Sequence, residues 1–199
     1  MNDQTTLRKL FIDELRDAYH AEKQLTKALP KLAKASTTPA LRKALEAHLK
    51  ETENHVTRLE QVFEALQEPA KTKVCAGMAG IIEEGSDLLK EEDKGSALDA
   101  GIIAGAQRAE HYEMAAYGSL MAWAKVLGHD DVLELLEATL EEEKAADETL
   151  SELAEGGINE AAAGKDEEDD SDEDEAVPAQ GGRSSKSSAQ GVSTKQGRR

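Results

Sequence analysis

Four stretches of the chain repeat apolar residues at intervals of three and four, the pattern of helices that bury one face. The first is predicted to start after Thr5 or Thr6 and run to about Ala35, with Leu15, Ala18, Leu25, Leu29 and Leu32 on its stripe. Pro30 removes one backbone donor late in this helix and predicts a kink or a break there. Thr38 and Pro39 then supply an N-cap and a first helical position. The second helix continues through Leu41, Leu45, Leu49, Leu59, Val62 and Leu66 and stops before Pro69. The third runs from about Ser96 to Leu127, with Ile103, Ala106, Tyr117, Leu120 and Ala124 on one stripe and Gly128 as its stop. The fourth opens at Asp130, carries Leu133, Leu136, Leu140 and Leu150, and ends at Gly156.

The first two helices are joined by a short link, as are the last two, which forces antiparallel neighbours. The second and third are separated by about 30 residues that include a short amphipathic piece, roughly 74–90. A link of that length can travel the height of a bundle. The predicted fold class is therefore all-α, a ferritin-like four-helix bundle with one long crossover rather than an up-down-up-down bundle.

Each stripe is interrupted by polar residues at the middle of its helix. The first reads Leu15, Ala18, Glu22, Leu25, Leu29, and the second reads Leu45, His48, Thr52, His55, Leu59, with Glu51 flanking on the side of the two histidines. The third reads Ile103, Ala106, Glu110, Glu113, Tyr117, Leu120, and the fourth Leu136, Leu140, Glu143, Asp147, Leu150. Four midpoints of a bundle meet at one level, so these acids and imidazoles are expected to face one another. Ionised carboxylates crowded in a poorly hydrated core repel and cost several kcal/mol each to bury. Protonation, paired Arg or Lys, or a bound cation can offset this. Inner-face cations are scarce at that level, Arg58 and Arg108 being the nearest and both peripheral.

Divalent iron or manganese, which favours carboxylate and imidazole ligands, is the economical solution. Two ions suit five or more acids better than one, with carboxylates such as Glu113 or Glu51 bridging. The expected metal ligands are Glu22, His48, Glu51, His55, Glu110, Glu113, Glu143 and Asp147, the second helix contributing Glu51 with one of its imidazoles. Tyr117, one turn past Glu113, is placed to hydrogen-bond a ligand, and Glu14, two turns before Glu22, to stand behind the ligands or at a dimer contact. The usual bundle set is a lone Glu from each of two helices and Glu-x-x-His from the other two. No such motif lies on these stripes, which predicts a site richer in carboxylate and poorer in histidine. His20, His111 and His129 fall off the stripes, and Cys75 and Met78 are expected to pack.

Composition narrows the class. The chain has 199 residues, 24 Lys and Arg against 41 Asp and Glu, and a net charge of −17. Clustered cations for phosphate are missing from so acidic a body, which disfavours nucleic acid as a partner. There is no membrane-length apolar run and no leader, so a cytoplasmic location is expected. The single Cys excludes an internal disulfide. Composition changes after Glu155, and residues 166–175 are all acidic except Ser171. The predicted domains are a bundle over 1–155 and a disordered tail over 156–199, acidic and then weakly basic. The body alone holds 18 basic and 31 acidic residues, so the tail is not what makes the protein acidic.

Several segments resemble the YciE/YciF family of bacterial ferritin-like stress proteins. These are Glu14 to Leu25, His48 to Thr52 with Arg58-Leu59-Glu60, Gln107 to Glu113 on through Ala116-Tyr117-Gly118, and Glu142 to Asp147. The resemblance covers about residues 5–155. It implies a ferritin-like domain, a homodimer, a dinuclear metal site and a ferroxidase role in stress tolerance. The expected cofactor is two Fe ions, or Mn instead, and the expected partners are Fe(II) with O2 or H2O2. Two rivals remain open: manganese with catalase-like peroxide chemistry, and a non-catalytic stress bundle whose acids hold a structural metal or stay protonated. A DNA-protecting shell is disfavoured by the acidic body.

Overall fold

The helices form close to their predicted ends. In a computed structural model, which describes residues 6–91 and 94–164, α1 spans Thr6–Ala35, α2 Pro39–Ala65, the crossover helix α3 Ala76–Glu91, α4 Ser96–Leu127 and α5 Leu133–Leu153. Pro30 lies on the solvent side of α1, and the helix continues past it to Ala35. Gly128 ends α4 at a left-handed φ of 74°, which lets its N–H reach the Lys125 carbonyl while His129 N–H reaches Ala124. A 3-10 turn, Asp130–Val132, precedes α5, so the fourth long helix starts at Leu133 rather than at Asp130.

Thr38 occupies the N-cap of α2, but its side chain makes no capping bond. Its N–H instead donates to Asp99 Oδ2 at 2.7 Å, and Thr37 donates to the same carboxylate from its N–H at 2.9 Å and from its hydroxyl at 2.7 Å. The turn between α1 and α2 is thus fixed by a fully buried acid in the first turn of α4.

The end of the body differs from the expectation. The sequence places it at Glu155, yet helical turns continue through Ala154–Ile158 and a short α6, Asn159–Ala162. Gly156-Gly157 bends the chain instead of releasing it. Gly157 adopts φ 121°, open to glycine without strain, and this returns Ile158 to the apolar core. The predicted tail beyond residue 164, including its acidic block, lies outside the described residues.

The apolar contacts give the topology. Leu29, Leu41, Leu98, Ile102 and Leu150 share one apolar cluster, and Phe11, Leu15, Val62, Leu120 and Leu136 share the other. Hence α1 and α5 run one way, α2 and α4 the other, and the chain between α2 and α4 must travel the bundle's height. It does so along the α1–α4 side. Lys73 N–H donates to Arg16 O, Cys75 N–H to His20 Nδ1, and Leu88 of α3 packs where Gly101 leaves no Cβ in its way. Cys75 and Met78 are fully buried, as expected, and the Cys75 thiol also meets the Tyr112 hydroxyl at 3.1 Å. This is the ferritin-like arrangement with its crossover. The two apolar clusters occupy opposite ends, and the layer between them is polar.

Candidate metal centre

The polar layer gathers six side chains from four helices. Glu22 comes from α1, His48 and His55 from α2, Glu110 and Glu113 from α4 and Glu143 from α5, all of them buried. Each replaces an apolar residue on its helix's inner stripe, so the packing that buries the stripe carries the polar groups inward with it. Seven residues, two turns, separate His48 from His55, which keeps both on one face. Their rings stand 6.3 Å apart, nearly edge to face.

Glu143 lies between the two imidazoles. Its Oε1 is 2.9 Å from His55 Nδ1, and its Oε2 is 3.7 Å from His48 Nε2. Glu22 Oε2 completes the first group at 3.5 Å from His55 Nδ1, and Glu110 Oε1 the second at 3.3 Å from His48 Nε2. Two triads result, Glu22–His55–Glu143 and His48–Glu110–Glu143, and within each the donor atoms lie within 4.8 Å of one another. Glu143 thus has the shared place that the sequence reading gave to Glu113 or Glu51. Glu113 stands beside them with both oxygens buried.

Flanking groups hold this layer in place. Tyr117 donates its hydroxyl proton to Glu22 Oε1. On the far side of His55, Nε2 meets Glu142 Oε2 at 2.8 Å, and Arg58 clamps Glu142 through both of its terminal nitrogens. Sequence reasoning left Glu142 out of the site and Arg58 at its edge. Arg58 lies one turn from His55, a spacing that could have pointed to the pair. Glu51 is half-exposed at the rim, its Oε2 3.4 Å from His48 Nδ1. Asp147 lies outside both triads, accepting from Gln107 and facing the exposed His111 at 3.4 Å. Glu14 is half-buried on α1 and also outside them. Neither His20, which pairs with Gln24, nor His129, which stacks on Phe11, joins the layer.

Electrostatics follow from the crowding. Burial and the charge of Glu143 push the Glu110 carboxyl well above the usual carboxylate range, and burial with the charges of Glu22 and Glu143 does the same to Glu113. Burial raises Glu22 too, outweighing its contact with His55. Burial alone would pull His55 down, but Glu143 and Glu22 outweigh it and push the imidazole up to about 10. Burial opposes ionisation of Glu143, yet contacts to His55 and Glu110 hold it below its ordinary value.

The acidic and imidazole groups gathered here could hold a metal ion. Glu110 Oε2 and both oxygens of Glu113 are buried without a hydrogen-bond partner, and Glu22 Oε2 and the Glu143 oxygens have the imidazoles of His55 and His48 against them. Unpartnered polar atoms of this kind are uncommon in folded proteins and point to a missing ligand. Four carboxylates and two imidazoles match the count of the usual bundle set. The expected shortage of histidine does not hold for the groups brought together. Their total is ordinary, but both imidazoles come from one helix, which is why no Glu-x-x-His appears on the stripes.

Comparison with known families matches residues 6–163 to a domain of unknown function, DUF892. The chain belongs to the DUF892 family. Within that family it is 44% identical to protein YciF of Escherichia coli (strain K12) over 161 residues, 80% of this chain and 97% of that one. Among solved structures, the E. coli stress protein YciF matches with a TM-score of 0.75 and 43% identity, over 78% of this chain and 99% of the other. YcfI of Rhodopseudomonas palustris matches at 0.72 and 44%, over 75% and 96%. A Xanthomonas campestris protein, 21% identical with a TM-score of 0.63 over 80% and 99%, shares the fold. The YciE/YciF resemblance of the sequence is therefore a true kinship.

Proposed function

We propose that this DUF892 chain binds two iron ions in the layer between its apolar ends and oxidises Fe(II) with O2 or H2O2. The observation that carries the reading is the sharing of Glu143 between two buried triads, beside which both oxygens of Glu113 are buried without a hydrogen-bond partner. Two ferrous ions held there supply one electron each, together reducing H2O2 to water with two protons, or O2 to peroxide. The carboxylates of Glu22, Glu110, Glu113 and Glu143 offset the added positive charge, and His48 and His55 fix the two positions from one side. Tyr117 keeps Glu22 turned inward, and the Arg58–Glu142 pair orients His55. In this reading the protein consumes ferrous iron and oxidant together. The description of E. coli YciF as a stress protein agrees with such a role. The homodimer implied by kinship belongs to the same proposal.

The raised carboxyls of Glu110 and Glu113 favour a second reading, in which both stay protonated and any metal is structural. Anaerobic ferrous titration of the purified chain, followed by exposure to O2 or H2O2, separates the two. About two ions per chain, oxidised faster than in buffer and lost in Glu143→Gln, support the ferroxidase. Two manganese ions with peroxide disproportionation would move the assignment to a catalase-like activity. Binding without turnover leaves the structural reading, and no stoichiometric binding removes the site.

A further inference from the structure

The two triads differ in their access to solvent. Around Glu22–His55–Glu143 the walls are closed. All three side chains are fully buried, Tyr117 seals one flank, and Glu142 with Arg58 covers the outer nitrogen of His55. The His48–Glu110–Glu143 triad has an opening. Between α2 and α5 a cleft of about 130 Å³ is walled by Ala44, Ala47, Ala145 and Ala146 and reaches His48 and Glu110. Both helices present alanines here, so the gap stays unfilled. Glu110, whose Oε2 is buried and unpartnered, is among its lining residues, and Glu51 stands at its rim with 43% of its side chain exposed.

A second cavity also touches Glu110, from the α3 side, but its walls are aliphatic, with Leu25, Leu29, Ile81 and Ile102 among them. A hydrated divalent cation gives up water only against replacement oxygen or nitrogen ligands. The aliphatic cavity supplies almost none, whereas the α2–α5 cleft supplies Glu51, then His48, then Glu110 in succession.

Resting on the metal-binding reading above, we infer that the α2–α5 cleft is the passage by which divalent cations enter and leave. Glu51 is the carboxylate that meets the ion first and hands it to His48. The His48–Glu110–Glu143 position exchanges with solvent, and the Glu22–His55–Glu143 position fills only through it. Glu51 suits the task because its carboxylate is partly exposed at the rim, while its contact with His48 Nδ1 leaves Nε2 facing Glu110 and Glu143.

The test is stopped-flow binding of Co(II) to the metal-free full chain, read by cobalt absorption, with metal analysis of the product and chelator-driven release. Ala47→Phe and Ala145→Phe place bulk at exposed positions on the cleft walls, where the fold has room for it. Each is expected to slow loading and release by about tenfold, as a barrier higher by about 1.4 kcal/mol does, with the final stoichiometry unchanged. Glu51→Gln is expected to slow loading and leave the stoichiometry intact. Release from the unsubstituted chain is expected in two phases, one fast and one slow. Unchanged rates in all three variants overturn the passage, and single-phase release overturns the ordered exchange. Loss of an ion in Glu51→Gln makes Glu51 a resident ligand and overturns its role as the handing group. Failure of the unsubstituted chain to bind cobalt at all overturns the metal reading itself, an outcome seen before any variant is compared.

Discussion

Glu113 separates a group kept for a ligand from ordinary packing. Both of its oxygens are buried without a hydrogen-bond partner, between two apolar clusters that a leucine would join. A buried polar group left unsatisfied costs about 1–3 kcal/mol. Glu113→Leu removes that cost, so the metal-free variant is expected to be more stable than the natural chain by about 1–3 kcal/mol. At about 2–4 °C per kcal/mol for a body of this size, Tm should rise by about 2–12 °C. Loading with metal should reverse the order. An ion at about 100 times its Kd adds about 2.7 kcal/mol to the natural chain, and a variant short of one carboxylate gains less. The assay is thermal melting followed by circular dichroism, after exhaustive chelation and again after loading with Mn(II). A chelated Glu113→Leu melting more than about 2 °C below the natural chain would refute the reasoning, since it would mean that contacts within the bundle already satisfy the carboxylate.

Three further outcomes are expected. Asp99→Ala strips the partner from two backbone N–H groups and the Thr37 hydroxyl, and should lower stability to urea near neutral pH by about 2–4 kcal/mol. Burial alone would raise the Asp99 carboxyl, but hydrogen bonds from Thr38 and Thr37 outweigh it and hold it below its ordinary value. Its contribution is therefore present above the unfolded value of about 3.9 and lost as pH falls through the lower folded one. The gap between the two chains should narrow in that acid range, and a gap that stays constant down to pH 3 would mean another group is responsible. Arg58→Met frees Glu142 from its clamp and should weaken metal binding measured by calorimetry by about 10–100-fold. An unchanged affinity would show that the pair does not hold His55. Tyr117→Phe removes the donor to Glu22 and should destabilise the metal-free chain by about 1–3 kcal/mol, visible in the same melts. A neutral effect would show Glu22 satisfied by other means.

The fold was legible because its determinants are local. Apolar residues at three and four, Pro39 at a helix start and Gly128 at a helix stop need no knowledge of neighbours, and the long link forces the crossover. The polar layer was legible for a related reason: Glu22, His48, His55, Glu110, Glu113 and Glu143 each stand where their own helix demands an apolar residue. Sideways relations between helices were less accessible. Glu142 is off the inner stripe of α5 and reaches His55 only because α2 packs next to it, a fact that no single helix's periodicity contains. Asp147 is on that stripe, but one turn above Glu143 the facing side chain on α4 is Gln107, so it meets an amide there. The end of the body was misplaced because a Gly-Gly pair reads as a stop in one dimension. In three dimensions Gly157 is a bend that puts Ile158 back in the core.

A polar layer that cuts the core in two also sets how the bundle comes apart. Each apolar end is a cohesive block, and the four helices that join the blocks cross a stratum whose side chains, unliganded, repel as much as they attract. Cooperativity between the ends then depends on whatever neutralises that stratum. With it empty, each end opens to hydrogen exchange on its own free-energy scale. Once it is bridged, amides around Phe11 and amides around Leu41, at opposite poles of the molecule, gain protection together.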